Sequence, residues 1–335
     1  MDSYLGRKIK NDLINSYGVT VVPAGSVLNH EHIQLLKKHK IDFMDIIFVY
    51  GEGFEAVSCS KTVHQVVNVT KELFNSFMNS RKIPLLDIRT GVIPIVQQVS
   101  TNPDVFQLFE AVRGTDDYTH QHNIAVGVIS TLIGRWMNLE ESELAILSLA
   151  ATLHDVGKLK VLPEILNKPG KLTEEEFTAV KKHAIYGYEM LKETAGVNSR
   201  IALVALQHHE RNDGQGYPFG LKEDKIDLYS KIVAVADVFH AMSSKRPYHD
   251  PLAFHIIVDQ MRRGSFGALD PHIVSLFLEN IVKRTVGRDV VLTDGRIGQV
   301  VYLNPHDIET PLIKIENEYI DLSKWSNLNI KEISI

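Results

Sequence analysis

Residues 201–218 read Ile-Ala-Leu-Val-Ala-Leu-Gln-His-His-Glu-Arg-Asn-Asp-Gly-Gln-Gly-Tyr-Pro, an apolar run that leads into two adjacent histidines and a glycine-rich loop. The run predicts a helix, and steps of four residues along its apolar face lead to His208 and His209. A single histidine on such a face is more often a hydrogen-bonded core residue. Two neighbouring buried imidazoles are costly without a ligand, so the pair indicates a metal site.

The same pattern recurs on other predicted helices. His154 and Asp155 follow the apolar run 144–153, after which Gly157 ends the helix. His122 lies on a predicted buried stripe, whereas His120 lies about 200° around the same helix and is excluded as a ligand. These positions extend the candidate site beyond the 201–218 segment.

Two further segments complete the set. A capping box at Thr173 begins a helix that should carry Phe177, Val180 and Ala184 inward, with His183 beside them. The apolar segment 231–242 contains Asp237, whose carboxylate would be costly there unless it were paired or ligated.

The candidate donors lie on five predicted helices, which suits a site inside a helical bundle. Imidazole and carboxylate without thiolate favour Mn, Fe, Zn or another borderline-to-hard metal, and seven such groups exceed the needs of one ion. Two ions that share Asp155 are the economical solution. Such a pair is the usual apparatus for attack on a phosphoryl centre.

These residues resemble the HD-GYP branch of the HD phosphohydrolase superfamily. The resemblance rests on His154-Asp155, Gly157-Lys158 and the run from His208-His209 to Gly216-Tyr217-Pro218, and it spans roughly residues 115–285. It implies a mainly α protein with an HD-type helical bundle. It also implies a bacterial, cytoplasmic phosphodiesterase that hydrolyses cyclic di-GMP to linear pGpG, GMP or both through a metal-bridging hydroxide.

The resemblance also assigns roles to individual residues. The first divalent transition-metal ion would be held by His122, His154, Asp155 and Asp237, and the second by Asp155, His183, His208 and His209. Asp155 and Lys158 would act in catalysis, and Lys158, Arg246, Gly216 and Tyr217 would bind the substrate. Fe or Mn is the expected metal, and Zn, Ni and Co are compatible with the donors.

Some positions depart from the family pattern. Tyr118 stands where trinuclear members place a Glu, which favours two ions. His240 stands at a commonly acidic position and could be a hydrogen-bond partner of a ligating residue, an extra ligand or a sign of altered substrate choice. His249 replaces a commonly basic residue on the expected phosphate path. Beside the histidine pair, Glu210 and Arg211 could pair and orient the imidazoles.

Composition excludes several classes of protein. A net charge of −5 argues against a general DNA or RNA binder. The single cysteine, Cys59, excludes a disulfide framework. No apolar run reaches the length of a membrane span, and the first residues lack the apolar core of a signal peptide, so we expect neither membrane insertion nor export.

Changes in the spacing of apolar residues along the chain predict four segments. Residues 1–60 form a small α+β module with strands in 17–28, a helix at 30–40 and a strand at 46–50. Residues 61–113 form a helical connector that packs on the catalytic domain, with helices over 62–82 and 94–113. The catalytic bundle covers 114–287. Residues 288–335 form a small β-rich module with hairpins at Asp294-Gly295 and within 312–322.

Two other functions stay open. The first is an HD phosphohydrolase acting on another cyclic dinucleotide or phosphoester, which His240 and His249 allow. The second is a weakly active messenger-binding or docking protein, against which the complete ligand set argues. In either case the terminal modules would serve regulation, homodimerisation or the binding of a signalling partner.

Overall fold

The computed structural model describes most of the chain in two compact units, Met1–Ser58 and Cys59–Ile335. The described residues are 5–6, 8–9, 12–15, 19–39, 59–80, 83–102, 104–113, 118–166, 168, 170–244, 251–264, 267–304, 307–325 and 327–333. Arg246, His249 and the strand expected at 46–50 lie outside them. The side chain of Tyr118 is also outside the description.

The first unit is a small α+β module, as the sequence predicts. Strand β1 (Leu13–Ile14) pairs antiparallel with β2 (Thr20–Val22). Helix α1 (His30–Lys38) begins after Asn29, whose side chain accepts a hydrogen bond from the His32 amide and caps the helix. The buried core of this unit consists of Ile9, Leu13, Val22, Leu28, Ile33 and Leu36.

The second unit is mainly helical. Its α-helices are α2 (Cys59–Ser80), α3 (Leu85–Asp87), α4 (Ile93–Val99), α5 (Val105–Arg113), α6 (Tyr118–Trp136), α7 (Glu141–Thr152), α8 (Pro163–Leu166), α9 (Glu174–Lys181), α10 (His183–Lys192), α11 (Ser199–Gln207), α12 (Leu228–Ser243), α13 (Phe254–Gly264) and α14 (Pro271–Lys283). A π-helical turn covers Ile88–Val92, and 3-10 turns cover Val156–Lys160, Glu223–Lys225 and Leu322–Lys324. None of the described helices is long and apolar enough to cross a membrane.

One hydrophobic core joins the early helices to the bundle. Val63 and Val66 of α2 lie in the same buried cluster as Ile129 of α6 and Val235 of α12. Burying such side chains stabilises the fold by roughly 1.5–3 kcal/mol each. A fragment that lacked α2 would therefore expose part of the core on which the bundle depends.

The single helix predicted over 94–113 is wrong, because the chain forms α4 and α5 with a break between them. In the sequence, Pro103 lacks an amide hydrogen and disfavours helical geometry at the residue before it. The carboxylate of Asp104 then accepts hydrogen bonds from the amides of Phe106 and Gln107 and so caps α5.

The C-terminal residues form an antiparallel sheet, which confirms the predicted β-rich segment. Its strands are β3 (Asp289–Leu292), β4 (Ile297–Asn304), β5 (Asp307–Ile315), β6 (Glu318–Asp321) and β7 (Ile330–Ile333), in the order β6-β5-β4-β3-β7. Gly295, with φ +90°, turns the predicted hairpin between β3 and β4. The second predicted hairpin joins β5 to β6.

Candidate metal centre

Five helices of the bundle bring the predicted ligands together. His122 lies on α6 and Asp237 on α12, while His183 is the first residue of α10. His154 and Asp155 directly follow α7, and His208 and His209 directly follow α11. Each pair thus stands where a helix ends, with the preceding apolar turns buried in the core.

A close backbone approach fixes the position of Asp155. The 3-10 turn Val156–Lys160 lies against the start of α10. A Cβ atom on Gly157 would overlap the backbone oxygen of His183 and the backbone nitrogen of Gly187. Only a glycine allows this approach, and the approach holds Asp155 beside His183.

The carboxylate of Asp155 lies between two groups of donors. Its Oδ2 atom is 3.3 Å from His154 Nε2 and 3.6 Å from His122 Nε2. Its Oδ1 atom is 3.3 Å from His183 Nε2 and 3.7 Å from His208 Nε2. The donor atoms of Asp155, His183, His208 and His209 lie within 4.8 Å of one another, as do those of His122, His154 and Asp237.

Backbone carbonyls determine which ring nitrogen three of the histidines present. His154 Nδ1 is 2.7 Å from Ala151 O, and His183 Nδ1 is 2.7 Å from Val180 O. His208 Nδ1 lies 3.0 Å from Ala205 O. Because a carbonyl oxygen can only accept, each Nδ1 carries a hydrogen, and in the neutral imidazole each Nε2 presents its lone pair on the side of Asp155. Histidine ligands of metals are held in this way.

Two fully shielded atoms at the centre, His154 Nε2 and Asp155 Oδ1, have no hydrogen-bond partner among the described residues. Leaving a buried polar atom unsatisfied costs about 1–3 kcal/mol. His154 Nε2 belongs to the donor group with His122 and Asp237, and Asp155 Oδ1 lies beside His183 and His208 of the other group. The residues therefore fit divalent cations, one at each donor group, which would satisfy these two atoms.

Electrostatics keep most of the donors in the form that binds metal. Burial lowers the pKa of His183 to about 4 and lowers the pKa of His209 well below its usual range. Burial alone would raise the pKa of Asp155, but Lys158 and His154 outweigh it and hold that pKa well below its usual range. The pKa of His154 is raised, because Asp155 outweighs the effect of burial, so metal binding would release a proton there.

His240 lies behind His122 and orients it. His240 Nε2 is 3.2 Å from the carbonyl oxygen of Val112, which can only accept, so this nitrogen carries the hydrogen. In neutral His240, Nδ1 is then an acceptor, and it lies 3.0 Å from His122 Nδ1. His122 therefore donates from Nδ1, and its Nε2 lone pair faces Asp237 at 3.1 Å.

Replacing His240 should weaken metal binding without removing a direct donor. We expect His240→Leu to lower metal affinity by about 10- to 100-fold, as is usual when the partner of a ligating histidine is lost. His240→Gln should retain much of the affinity, because its amide can accept from His122 and donate to Val112. Competition with a chelator of known affinity measures the change, with the exposed His272→Leu as control. Unchanged affinity in His240→Leu would remove His240 from this role.

Lys158 lies at the edge of the centre. Its Nζ atom is 2.5 Å from Asp155 Oδ2, and 28% of its side chain is exposed. The ammonium group therefore combines contact with the central carboxylate and access to solvent. The other expected phosphate contact, Arg246, lies outside the described residues.

The expected pairing of Glu210 with Arg211 is wrong. The buried Glu210 carboxylate instead accepts hydrogen bonds from the amides of Phe219 and Leu221, each at 2.8 Å. Arg211 is directed outward and pairs with Asp213 at 2.6 Å. The loop after Gly216 folds back over Glu210, so its free amides reach the carboxylate first. Glu210 thereby holds the Gly-Tyr-Pro loop at the mouth of the centre.

Gly216 and Tyr217 place that loop against the histidine pair. A Cβ atom on Gly216 would overlap the backbone of residues 209–211, so the loop approaches more closely than another residue would allow. The Tyr217 ring lies 4.6 Å from the His209 ring, between centroids.

Phe177 also reaches this loop, which the sequence did not indicate. Its predicted inward orientation is wrong, since its side chain is 48% exposed and its ring lies 6.4 Å from the Tyr217 ring. Helix α9 ends at Lys181 and α10 begins at His183. One helical phase therefore does not run from Phe177 to Ala184, and the capping box at Thr173 gives no sign of this break.

Comparisons with known proteins agree with this architecture. Residues 111–273 match the HD domain family. A cyclic di-GMP phosphodiesterase of Pseudomonas aeruginosa is 33% identical over 260 residues, which are 78% of this chain and 62% of that protein. A 3'3'-cGAMP-specific phosphodiesterase of Vibrio cholerae is 39% identical over 160 residues, which are 48% of this chain and 35% of that protein. The chain thus spans less than two thirds of the length of either relative.

A solved structure gives the same fold. An HDG"Y"P protein from Bdellovibrio bacteriovorus superposes with a TM-score of 0.54 at 16% identity, covering 84% of this chain and 97% of that chain. This likeness and the HD domain match agree with the helical bundle, within which the His and Asp side chains converge. Residues 111–273 thus form an HD domain, and the chain is similar to HD-type cyclic dinucleotide phosphodiesterases.

Proposed function

We propose that this chain is a metal-dependent phosphodiesterase that hydrolyses cyclic di-GMP to linear pGpG, GMP or both. The observation that carries the proposal is the Asp155 carboxylate, whose two oxygens each face a separate group of imidazoles. A carboxylate so placed can bridge two cations, which is the arrangement used for phosphodiester hydrolysis. The relative from Pseudomonas aeruginosa, named a cyclic di-GMP phosphodiesterase, supports this substrate.

The proposed ligand sets follow the two donor groups. One ion would be held by His122, His154, Asp155 and Asp237, and the other by Asp155, His183, His208 and His209. Fe or Mn suits these donors best, and Zn, Ni and Co are compatible with them. When bound, the ions would supply Lewis-acid activation of water and of the phosphodiester.

The protein's own side chains would position the metal ligands and stabilise the charge that develops during the reaction. Ionised Asp155 holds the two donor groups together, and the carbonyl contacts of His154 and His183 keep their Nε2 atoms directed inward. The ammonium of Lys158 would stabilise negative charge that develops on the phosphodiester oxygens. In a chain of net charge −5, such local positive charge is needed to attract an anionic substrate.

Lys158 should therefore matter for turnover. We expect Lys158→Ala to retain both metals but to lower kcat by about 10²-fold, as when one preorganised charge near a developing oxyanion is lost. Lys160→Ala, which removes an exposed lysine from the same turn, is the matched control. Steady-state kinetics and metal analysis test this together. An unchanged kcat in Lys158→Ala would take the ammonium out of the reaction.

The proposed function is tested by assaying purified, metal-loaded protein against cyclic di-GMP, 3'3'-cGAMP and a simple phosphodiester. We expect cyclic di-GMP to be the best substrate, with about two metal equivalents per chain. Binding of cyclic dinucleotides without hydrolysis at any metal loading would contradict the proposal and favour a messenger-binding protein.

A second candidate substrate is 3'3'-cGAMP, because the 39% identical relative from Vibrio cholerae is named as specific for it. The bundle and the donor groups serve either cyclic dinucleotide equally, since both contain the same type of phosphodiester. The ratio of kcat/KM for the two substrates decides between them.

We also propose that the chain is divided into segments with separate roles. Residues 1–60 would form an N-terminal module, 61–113 a helical connector, 114–287 the catalytic domain and 288–335 a C-terminal module. All the proposed ligands and substrate contacts lie between His122 and Arg246. The terminal modules would therefore serve regulation, homodimerisation or the binding of a signalling partner.

A further inference from the structure

Three aromatic rings lead outward from the metal centre. The ring of His209 is followed at 4.6 Å by that of Tyr217, and Tyr217 is followed at 6.4 Å by Phe177. Tyr217 also lies 6.3 Å from the ring of His183. We call His209, Tyr217 and Phe177 the aromatic row.

The aromatic row changes from shielded to exposed along its length. In the middle of the row, burial raises the pKa of Tyr217, and the negative charges of Asp155 and Asp237 raise it further. The Tyr217 ring is therefore within electrostatic range of both carboxylates of the centre. At the outer end, Phe177 is 48% exposed. The aromatic row thus extends from a metal-ligand candidate to a solvent-exposed ring.

One lysine lies beside the outer end of the aromatic row, and another lies at the metal centre. Lys181 Nζ is 5.1 Å from the centroid of the Phe177 ring. At the centre, Lys158 contacts Asp155 and is partly exposed. A ligand that suits this arrangement has a flat π-system next to anionic groups, as a nucleotide does. Aromatic side chains bind nucleobases by stacking on their faces.

We propose that the aromatic row is a nucleobase subsite, in which Phe177 and Tyr217 bind one base of the cyclic dinucleotide while the adjoining phosphodiester lies at the metal centre. This inference rests on the proposed function. Every base has a π-face, so stacking tolerates different bases. The subsite therefore contributes affinity for cyclic dinucleotides in general and does not distinguish guanine from adenine.

Substitution of Phe177 tests the subsite kinetically. We expect Phe177→Ala to raise KM for cyclic di-GMP roughly 5- to 100-fold with little change in kcat, the range known for loss of one base–aromatic stack. Phe177→Trp should restore a low KM, whereas Phe177→Leu, which is apolar but not aromatic, should not. Tyr319→Ala, which removes a 62% exposed aromatic ring from the C-terminal sheet, is the matched control.

A binding measurement separates this inference from the proposed function. The probe is a phosphorothioate cyclic dinucleotide that resists hydrolysis and carries 2-aminopurine, whose fluorescence is quenched by stacking. Quenching by metal-loaded wild type and Tyr319→Ala, with loss in Phe177→Ala, supports the subsite even if no cyclic dinucleotide is hydrolysed. Absent quenching in wild type, equal quenching in Phe177→Ala, or hydrolysis with an unchanged KM in Phe177→Ala overturns it.

Discussion

Asp155→Ala is expected to abolish phosphodiester hydrolysis and to reduce metal content at both donor groups. The carboxylate supplies one oxygen toward His154 and His122 and the other toward His183 and His208. No other described carboxylate lies between the two groups, so an alanine leaves each group one ligand short. It also leaves several imidazoles close together without the negative charge that favours cation binding. Metal analysis after gel filtration, together with a discontinuous nucleotide assay, measures both effects.

Two comparison variants sharpen this test. Asp155→Asn keeps the shape of the side chain and removes its charge, so we expect weak metal binding and no measurable turnover. His120→Ala should retain metal and activity, because His120 belongs to neither donor group. Full metal content in Asp155→Ala would show that this carboxylate does not hold the ions.

The ligand residues could be predicted from the sequence because helical periodicity and the cost of buried charge act locally. Asp237 stands out in an apolar helix, and His208 and His209 follow apolar turns that must be buried. The structure places these side chains at one centre. The α+β N-terminal segment and the β-rich C-terminal segment could also be predicted from the sequence, because Pro23, Gly25 and the Asp294-Gly295 pair mark turns.

Contacts between distant segments could not be predicted in this way. The orientation of His122 depends on His240 and on the carbonyl of Val112, which lies in α5. Glu210 has the adjacent Arg211 as an apparent partner in sequence, yet the returning loop supplies the amides of Phe219 and Leu221. Local charge pairing is weak at the surface, so backbone amides near a buried carboxylate prevail.

Gly157→Ala is expected to destabilise the fold and to weaken metal binding at the group that contains His183. The added methyl group would overlap two backbone atoms, His183 O and Gly187 N, neither of which can rotate away as the end of a flexible side chain can. Overpacking of this kind costs typically 1–3 kcal/mol and occasionally more, so we expect about 3 kcal/mol. Denaturant unfolding of the metal-free protein measures the loss of stability.

The expected loss of metal affinity in Gly157→Ala follows from which backbone segments must move apart to relieve the overlap. To make room, the Val156–Lys160 turn and the start of α10 must separate, which moves Asp155 Oδ1 away from His183 Nε2. Affinity should therefore fall more at the group with His183, His208 and His209 than at the group with His122, His154 and Asp237. Gly91→Ala, where a Cβ atom would meet no atom within 4 Å, is the matched control and should alter neither stability nor metal binding by a comparable amount. If Gly157→Ala were destabilised but bound both ions normally, the turn would be a packing element only, and the placement of Asp155 would depend on its other contacts with α6 and α7.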